Sequence, residues 1–244
     1  MRTGNRFSGW EERLIDGLIE LVSRLGEEPV GEKKDRPKFV GYDDLLKVME
    51  RPECPACYIV RRSLQGFLSI AFIEELTVPE FREPVRSSFG YCKLHSEYVR
   101  VASRNRLRKM GIAIVYEDLL ALIQDSMRAK QEVPVVSGCP LCRLQEDVET
   151  YAVQIIADYC NDAEFQNRYE ASSGVCFPHL REVLRILEGD ARKFVVESHV
   201  KKLEIQLGHL QEFICKHDYR FTHEKMTEEE KTSPRSAVRF VAGY

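Results

Sequence analysis

The sequence predicts an all-α protein: tandem duplicated three-helix repeats packed into one pseudo-symmetric helical bundle, with extra N- and C-terminal helices. Three observations carry this. Apolar residues recur at three- and four-residue intervals through most of the chain. No stretch alternates with a period of two, and no Asn-Gly-type turn separates apolar runs. The chain also repeats itself: CPAC at 54–57 and GYCKLH at 90–95 are answered by CPLC at 139–142 and GVCFPH at 174–179. The cysteine pair shifts by 85 residues and the Cys/His pair by 84. Between them PEFREPVRSSFGYC (79–92) aligns with AEFQNRYEASSGVC (163–176) without a gap, setting Glu80 on Glu164, Phe81 on Phe165, Ser88 on Ser172 and Gly90 on Gly174.

The elements follow in order. Residues 1–41 hold an amphipathic helix (Trp10, Leu14, Leu18, Leu21, Val22, Leu25) and a Gly-, Pro- and charge-rich linker at 26–41. The first repeat occupies 42–132 and opens with a short helix at 42–50. After Cys57, the residues Val60, Leu64, Phe67, Leu68, Ala71 and Phe72 share one helical face. A shorter helix near 96–104 and a long one near 107–130 complete it. The second repeat, 133–216, has Leu144, Val148, Tyr151, Ala152, Ile155, Ile156 and Tyr159 at matching helical spacing, then helices near 180–188 and 192–215. The tail, 217–244, reads as irregular until a final helix with Ser233 as N-cap and Pro234 in its first turn.

Composition narrows the function. Lys+Arg number 36 against 39 Asp+Glu, giving a net charge of −3, so no global field favours nucleic acid or an acidic membrane. No apolar run approaches the roughly 18–20 residues of a membrane span. The N-terminus carries acidic residues where a signal peptide would be apolar. The expectation is a cytoplasmic protein without membrane association. Eight cysteines in a reducing compartment then point to metal or redox chemistry rather than disulfides.

Taken repeat by repeat, the ligand sets are Cys54, Cys57, Cys92 and His95, and Cys139, Cys142, Cys176 and His179. Three thiolates and an imidazole suit tetrahedral zinc, and four protein ligands leave no open position for catalysis. An iron–sulfur cluster, in which His can replace Cys, or a dithiol exchange site at the CPxC helix starts are the alternatives. Cys160 and Cys215 have no counterpart in the other repeat and read as core residues. A polar group in the tail, His217, Asp218, Tyr219, Arg220 and His223, is a possible acid–base or anion site, or a tether for the chain end. The basic run Arg104, Arg106, Arg108 and Lys109 reads as a solvated helix start, with a phosphate-binding patch as the alternative. No P-loop, GxGxxG, GxSxG or HExxH motif is present.

The second repeat and the KHDYRFTHEKMTEEE that follows it resemble an uncharacterised prokaryotic family, a domain of unknown function, which combines CPxC, an xEF segment, GxCxPH and an HDYRF-like tail. The resemblance covers roughly 40–240. It implies a cytoplasmic helical protein with metal ligands at Cys139, Cys142, Cys176 and His179, and it supplies no activity, substrate or partner. The first copy departs from the pattern at Cys92-Lys-Leu-His95, which lacks the proline. The reading is a metal-binding helical protein with two structural zinc ions, serving as a scaffold or interaction protein for an unknown protein partner or small ligand. The alternative is an iron–sulfur or dithiol redox protein, and a catalytic role would rest on the tail group.

Overall fold

The computed structural model describes residues 42–130, 138–221 and 223–243. The predicted N-terminal helix and the linker at 26–41 lie outside the described residues. Ten helices and no strand occur among the described residues: α1 Tyr42–Met49, α2 Pro55–Ala71, α3 Pro79–Ser87, α4 Lys93–Ala102, α5 Arg106–Lys130, α6 Pro140–Tyr159, α7 Ala163–Ala171, α8 Phe177–Ile186, α9 Gly189–Lys216 and α10 Glu228–Ala242. The protein is all-α, as the periodicity predicts. Each of the stretches α2–α5 and α6–α9 holds four helices instead of three. The additional ones, α3 and α7, are the xEF segments. Both are nine residues long. They are stabilised by burying Phe81 and Val85 in one and Phe165 and Tyr169 in the other, which a nine-residue window is too short to announce as periodicity.

The final helix begins earlier than the Ser233–Pro234 signal suggests. Thr227 caps it, accepting from the Glu230 backbone N–H, while the Glu230 side chain accepts from the Thr227 N–H. Pro234 therefore falls inside the helix, where it cannot donate to the Glu230 carbonyl. The Ser233 hydroxyl donates to that carbonyl instead, at 2.8 Å, and the helix continues.

The described residues divide into two compact units, where the sequence leads to a single bundle. One comprises residues 60–148 and the other residues 42–59 and 149–243, so the boundaries fall inside α2 and α6. In the larger unit, Tyr42, Leu45, Leu46 and Met49 of α1 join a core with Ile156, Phe165, Tyr169, Val183 and Val195. Tyr42 donates to Asp162, which also caps α7 by accepting from the Phe165 N–H. Helix α10 packs along α9 and against α8.

In the other unit α5 packs on α3 and α4. Asp118 accepts from both Arg82, at 2.6 Å, and Arg86, holding the two helices together with its carboxyl below the usual carboxylate range. Helix α5 crosses the end of α2 at Gly111, where a Cβ would stand 1.9 Å from the Phe72 carbonyl oxygen. Gly208, also inside a long helix, has nothing within 4 Å of its Cβ position. The two glycines should therefore respond oppositely to one substitution. Gly111→Ala is expected to destabilise by about 1–3 kcal/mol through overpacking, and Gly208→Ala to stabilise by about 0.5–1 kcal/mol through helix propensity. Urea unfolding followed by circular dichroism reads both.

Candidate metal centres

Helix starts position all eight cysteine and histidine side chains. Cys92 and Cys176 are the N-caps of α4 and α8, in extended conformation. Three residues on, His95 and His179 lie in the first turn and direct Nδ1 back toward the cap thiol, at 3.3 and 3.0 Å. Cys54 and Cys139 immediately precede Pro55 and Pro140, the first residues of α2 and α6, and Cys57 and Cys142 follow in the first turn. Each CxxC and each CxxH is thus one side chain before a helix and one a turn later, both beside first-turn N–H groups that have no i−4 carbonyl within the helix.

The pairing of these half-sites differs from the repeat-by-repeat expectation. Cys54 and Cys57 meet Cys176 and His179, and Cys92 and His95 meet Cys139 and Cys142. In each group the ligand atoms lie within 4.8 Å of one another. In the first, His179 Nδ1 is 3.5 Å from Cys54 Sγ and 3.4 Å from Cys57 Sγ, and Cys57 and Cys176 are 3.6 Å apart. In the second, His95 Nδ1 is 3.6 Å from Cys139 Sγ and 3.5 Å from Cys142 Sγ, and Cys92 and Cys142 are 3.9 Å apart. The quartets Cys54–Cys57–Cys92–His95 and Cys139–Cys142–Cys176–His179 are not formed.

The cause lies in α1. Its four core residues anchor the segment leading to Cys54 in the larger unit, with α7 and α8. The start of α6, carrying Cys139 and Cys142, belongs instead to the unit of α4. Spacing within a repeat reports ligand number and type, but it does not report which unit receives the first turn of a long helix.

The crowding of thiols in each group suits a cation. Burial alone would raise the Cys54 thiol, yet contacts with Cys176, Cys57 and His179 hold it well below its ordinary value. The same contacts from Cys176 and Cys54, with burial added, drive Cys57 far upward. His179 is pushed up to about 10: burial opposes its charge, but the Cys176 and Cys54 sulfurs outweigh it. In the second group Cys92 is lowered, its burial outweighed by the His95 backbone N–H and the Cys142 and Cys139 thiols. Burial and the charge of Cys139 push Cys142 up to about 12. Crowded sulfurs cannot all ionise together, and a divalent ion removes that conflict. The first group is the drier one, with Cys54, Cys176 and His179 buried, whereas Cys142 of the second is exposed.

Two residues escape sequence reasoning. Gln145 Oε1 stands 2.8 Å from His95 Nε2, so that nitrogen donates and the Nδ1 lone pair faces the thiols. Gln145 lies three residues past Cys142, a spacing that would flag it once the crossed pairing is known. Gly243 ends α10 with φ of +77°, and a Cβ there would lie 3.0 Å from Cys176 Sγ and 3.6 Å from Cys57 Sγ. The C-terminal helix ends against the first group, where a side chain would crowd the Cys176 sulfur in a left-handed conformation that favours glycine.

The remaining candidates lie apart from these groups. His217 is exposed with Nδ1 2.7 Å from the Phe213 carbonyl. Asp218 and Arg220 form an exposed pair at 2.7 Å, Tyr219 is 85% exposed, and His223 is exposed. None of the five belongs to a metal-ligating group among the described residues. Arg104, Arg106 and Lys109 are exposed, and Arg108 is half-buried. Cys160 is a core residue, fully buried with its thiol raised to about 12 by burial. Cys215 is not: it is exposed near the end of α9. All eight cysteines are free, and none of the described helices is long and apolar enough to cross a membrane.

Residues 134–244 match the family of unknown function DUF6062. No curated protein and no solved structure matches the chain. The matched segment contains Cys139, Cys142, Cys176 and His179, which are half of each group rather than the whole of one. Both groups are completed by residues that precede it.

The crossed pairing has a direct chemical readout. Mild oxidation of metal-free protein is expected to join the peptide containing Cys54 and Cys57 to that containing Cys176, and the peptide containing Cys92 to that containing Cys139 and Cys142. Peptide mass spectrometry identifies the links. A dominant link between the Cys57 and Cys92 peptides would restore pairing within a repeat.

Proposed function

We propose that each group holds one structural zinc ion and that the protein is a non-enzymatic, cytoplasmic scaffold or interaction protein in which each ion clamps two helix starts within one unit. The observation that carries this reading is the ligand spacing. A tetrahedral ion with Zn–S bonds of about 2.3 Å sets its sulfurs about 3.8 Å apart; the Cys57–Cys176 and Cys92–Cys142 sulfurs are 3.6 and 3.9 Å apart, and all ligand atoms of each group lie within 4.8 Å. An iron–sulfur cluster places several irons and bridging sulfides between its ligands and spreads them wider. Four protein ligands fill a tetrahedron, which favours structure over catalysis. The exposed, locally paired tail residues support tethering rather than a reactive centre.

Metal analysis of anaerobically purified protein tests the reading. About two zinc ions per chain in colourless protein are expected, and iron with acid-labile sulfide would overturn it. Cobalt substitution should give tetrahedral thiolate spectra at both sites. His179, held protonated until the metal displaces its proton, makes binding weaken as pH falls and release protons as it proceeds.

Substitutions separate the sites. Cys176→Ala should remove one zinc ion and cost more than about 4 kcal/mol, whereas Cys215→Ala, at an exposed position, should stay within about 0.5 kcal/mol of wild type. Cys54→Ala and Cys176→Ala should be strongly non-additive in denaturant unfolding, and Cys54→Ala and Cys92→Ala close to additive. Gln145→Leu should weaken the Cys92 site alone by about 10–100-fold in a chelator competition.

A further inference from the structure

The two groups are built alike but differ in what reaches their sulfurs. In the first, Cys54 and Cys176 belong to the apolar core of their unit and Cys57 packs against it. The end of α10 stands beside the same sulfurs, since a Cβ at Gly243 would lie 3.0 Å from Cys176 Sγ and 3.6 Å from Cys57 Sγ. In the second group Cys139 is buried and Cys92 half-buried, but Cys142 is exposed, alone among the six thiols that serve the two groups. Cys92 Sγ lies 3.9 Å from Cys142 Sγ. Metal binding keeps a cysteine in its thiolate form, which is the nucleophilic one. An accessible thiolate with a second thiolate in contact is the arrangement that peroxides convert to a disulfide.

We propose that Cys142 is a hydroperoxide-reactive site through which the second group exchanges its zinc ion for a Cys92–Cys142 disulfide, while the first group keeps its own ion. The proposal rests on the zinc reading of both groups. The Cys142 thiolate attacks one peroxide oxygen: the S–O bond forms, the O–O bond breaks, and the other oxygen leaves as hydroxide. The sulfur is thereby oxidised by two electrons to a sulfenic acid. The Cys92 thiolate then attacks the Cys142 sulfur, the S–S bond forms, and the sulfenic oxygen leaves as a second hydroxide. Two thiolates have given one disulfide, and the peroxide has given two hydroxide ions. Cys92 and Cys142 are then lost as ligands, and His95 with Cys139 offers only half a tetrahedron, so the site gives up its ion. Cys92 is the resolving thiol because its sulfur touches that of Cys142 and is itself partly open, whereas Cys139 is buried. The disulfide joins the starts of α4 and α6, the same two the ion joins, so the unit stays closed in either state. A thiol reductant restores both thiolates, and zinc rebinds.

The test adds hydrogen peroxide to the full zinc-loaded chain in a Cys215→Ser background, which removes the other exposed thiol. A chromogenic chelator reads released zinc, and peptide mass spectrometry reads the links. About one of two zinc ions should leave, in step with a Cys92–Cys142 link, and dithiothreitol with added zinc should reverse both changes. Loss of the two ions together, earlier loss from the Cys54 group, or a Cys139–Cys142 link in place of the expected one overturns the proposal. Cys142→His keeps four ligands without the exposed sulfur and should hold both ions through the same treatment; loss of the second group's ion at the original rate overturns it. A measurement without that variant is labelling of the zinc-loaded chain by N-ethylmaleimide. Cys142 should react before the other five ligand thiols, and earlier labelling of Cys57 counts against the assignment. Zinc content before treatment tells the two readings apart. A chain that binds no zinc defeats both, whereas two bound ions that leave together or resist peroxide defeat this inference alone.

Discussion

Everything in this fold turns on pairs of helix N-termini that face one another across a knot of sulfur. Helices α2 and α8 meet in one unit and α4 and α6 in the other, each presenting first-turn N–H groups and the positive end of its dipole. Brought together without compensation, such ends repel. Six thiol groups and two imidazoles are arranged there to carry the opposing charge. The side chains occupy the same two positions at all four helix starts, just before the helix and one turn in, so one local geometry built four times makes both centres. The differences between them are environmental: Gln145 orients one histidine, and Gly243 ends α10 against the other group.

Crossing the half-sites changes what the centres do for the chain. Joining Cys57 to Cys176 spans 119 residues, and joining Cys92 to Cys142 spans 50. Pairing within repeats, Cys57 to Cys92 and Cys142 to Cys176, would have spanned only 35 and 34 residues. Closing a longer loop removes more freedom from the unfolded chain, although only logarithmically. The larger consequence is topological: one closure is nested inside the other, and the core of the larger unit is assembled from α1 together with the last third of the sequence.

The sequence makes the helical class, the eight cysteine and histidine side chains of the two clusters and the long helices α5, α6 and α9 legible, because periodicity and CxxC spacing are local signals. Helices α3 and α7 are too short to show a period, and the Ser233–Pro234 signal marks a start for α10 that lies six residues past its Thr227 cap. Cys215 read as core because α9 is apolar on more than one side, as its exposed Leu207 and Ile214 show. The ligand partition was illegible for a different reason. It is decided by where α1 packs, and Tyr42, Leu45, Leu46 and Met49 reach residues more than 100 positions away. The orienting role of Gln145 becomes visible only after that partition is fixed.

Nesting also imposes a schedule on synthesis. The inner set, Cys92, His95, Cys139 and Cys142, is complete as soon as residue 142 has emerged. The outer pair, Cys54 and Cys57, is made first and waits for Cys176 and His179, which follow Cys57 by 119 and 122 residues. At translation speeds of about 5–20 residues per second that interval is about 6–24 s. Throughout it the nascent chain carries an unpartnered dithiol beside a helix start. The centre that ends up driest in the finished protein is the one whose cysteines stay open longest on the ribosome.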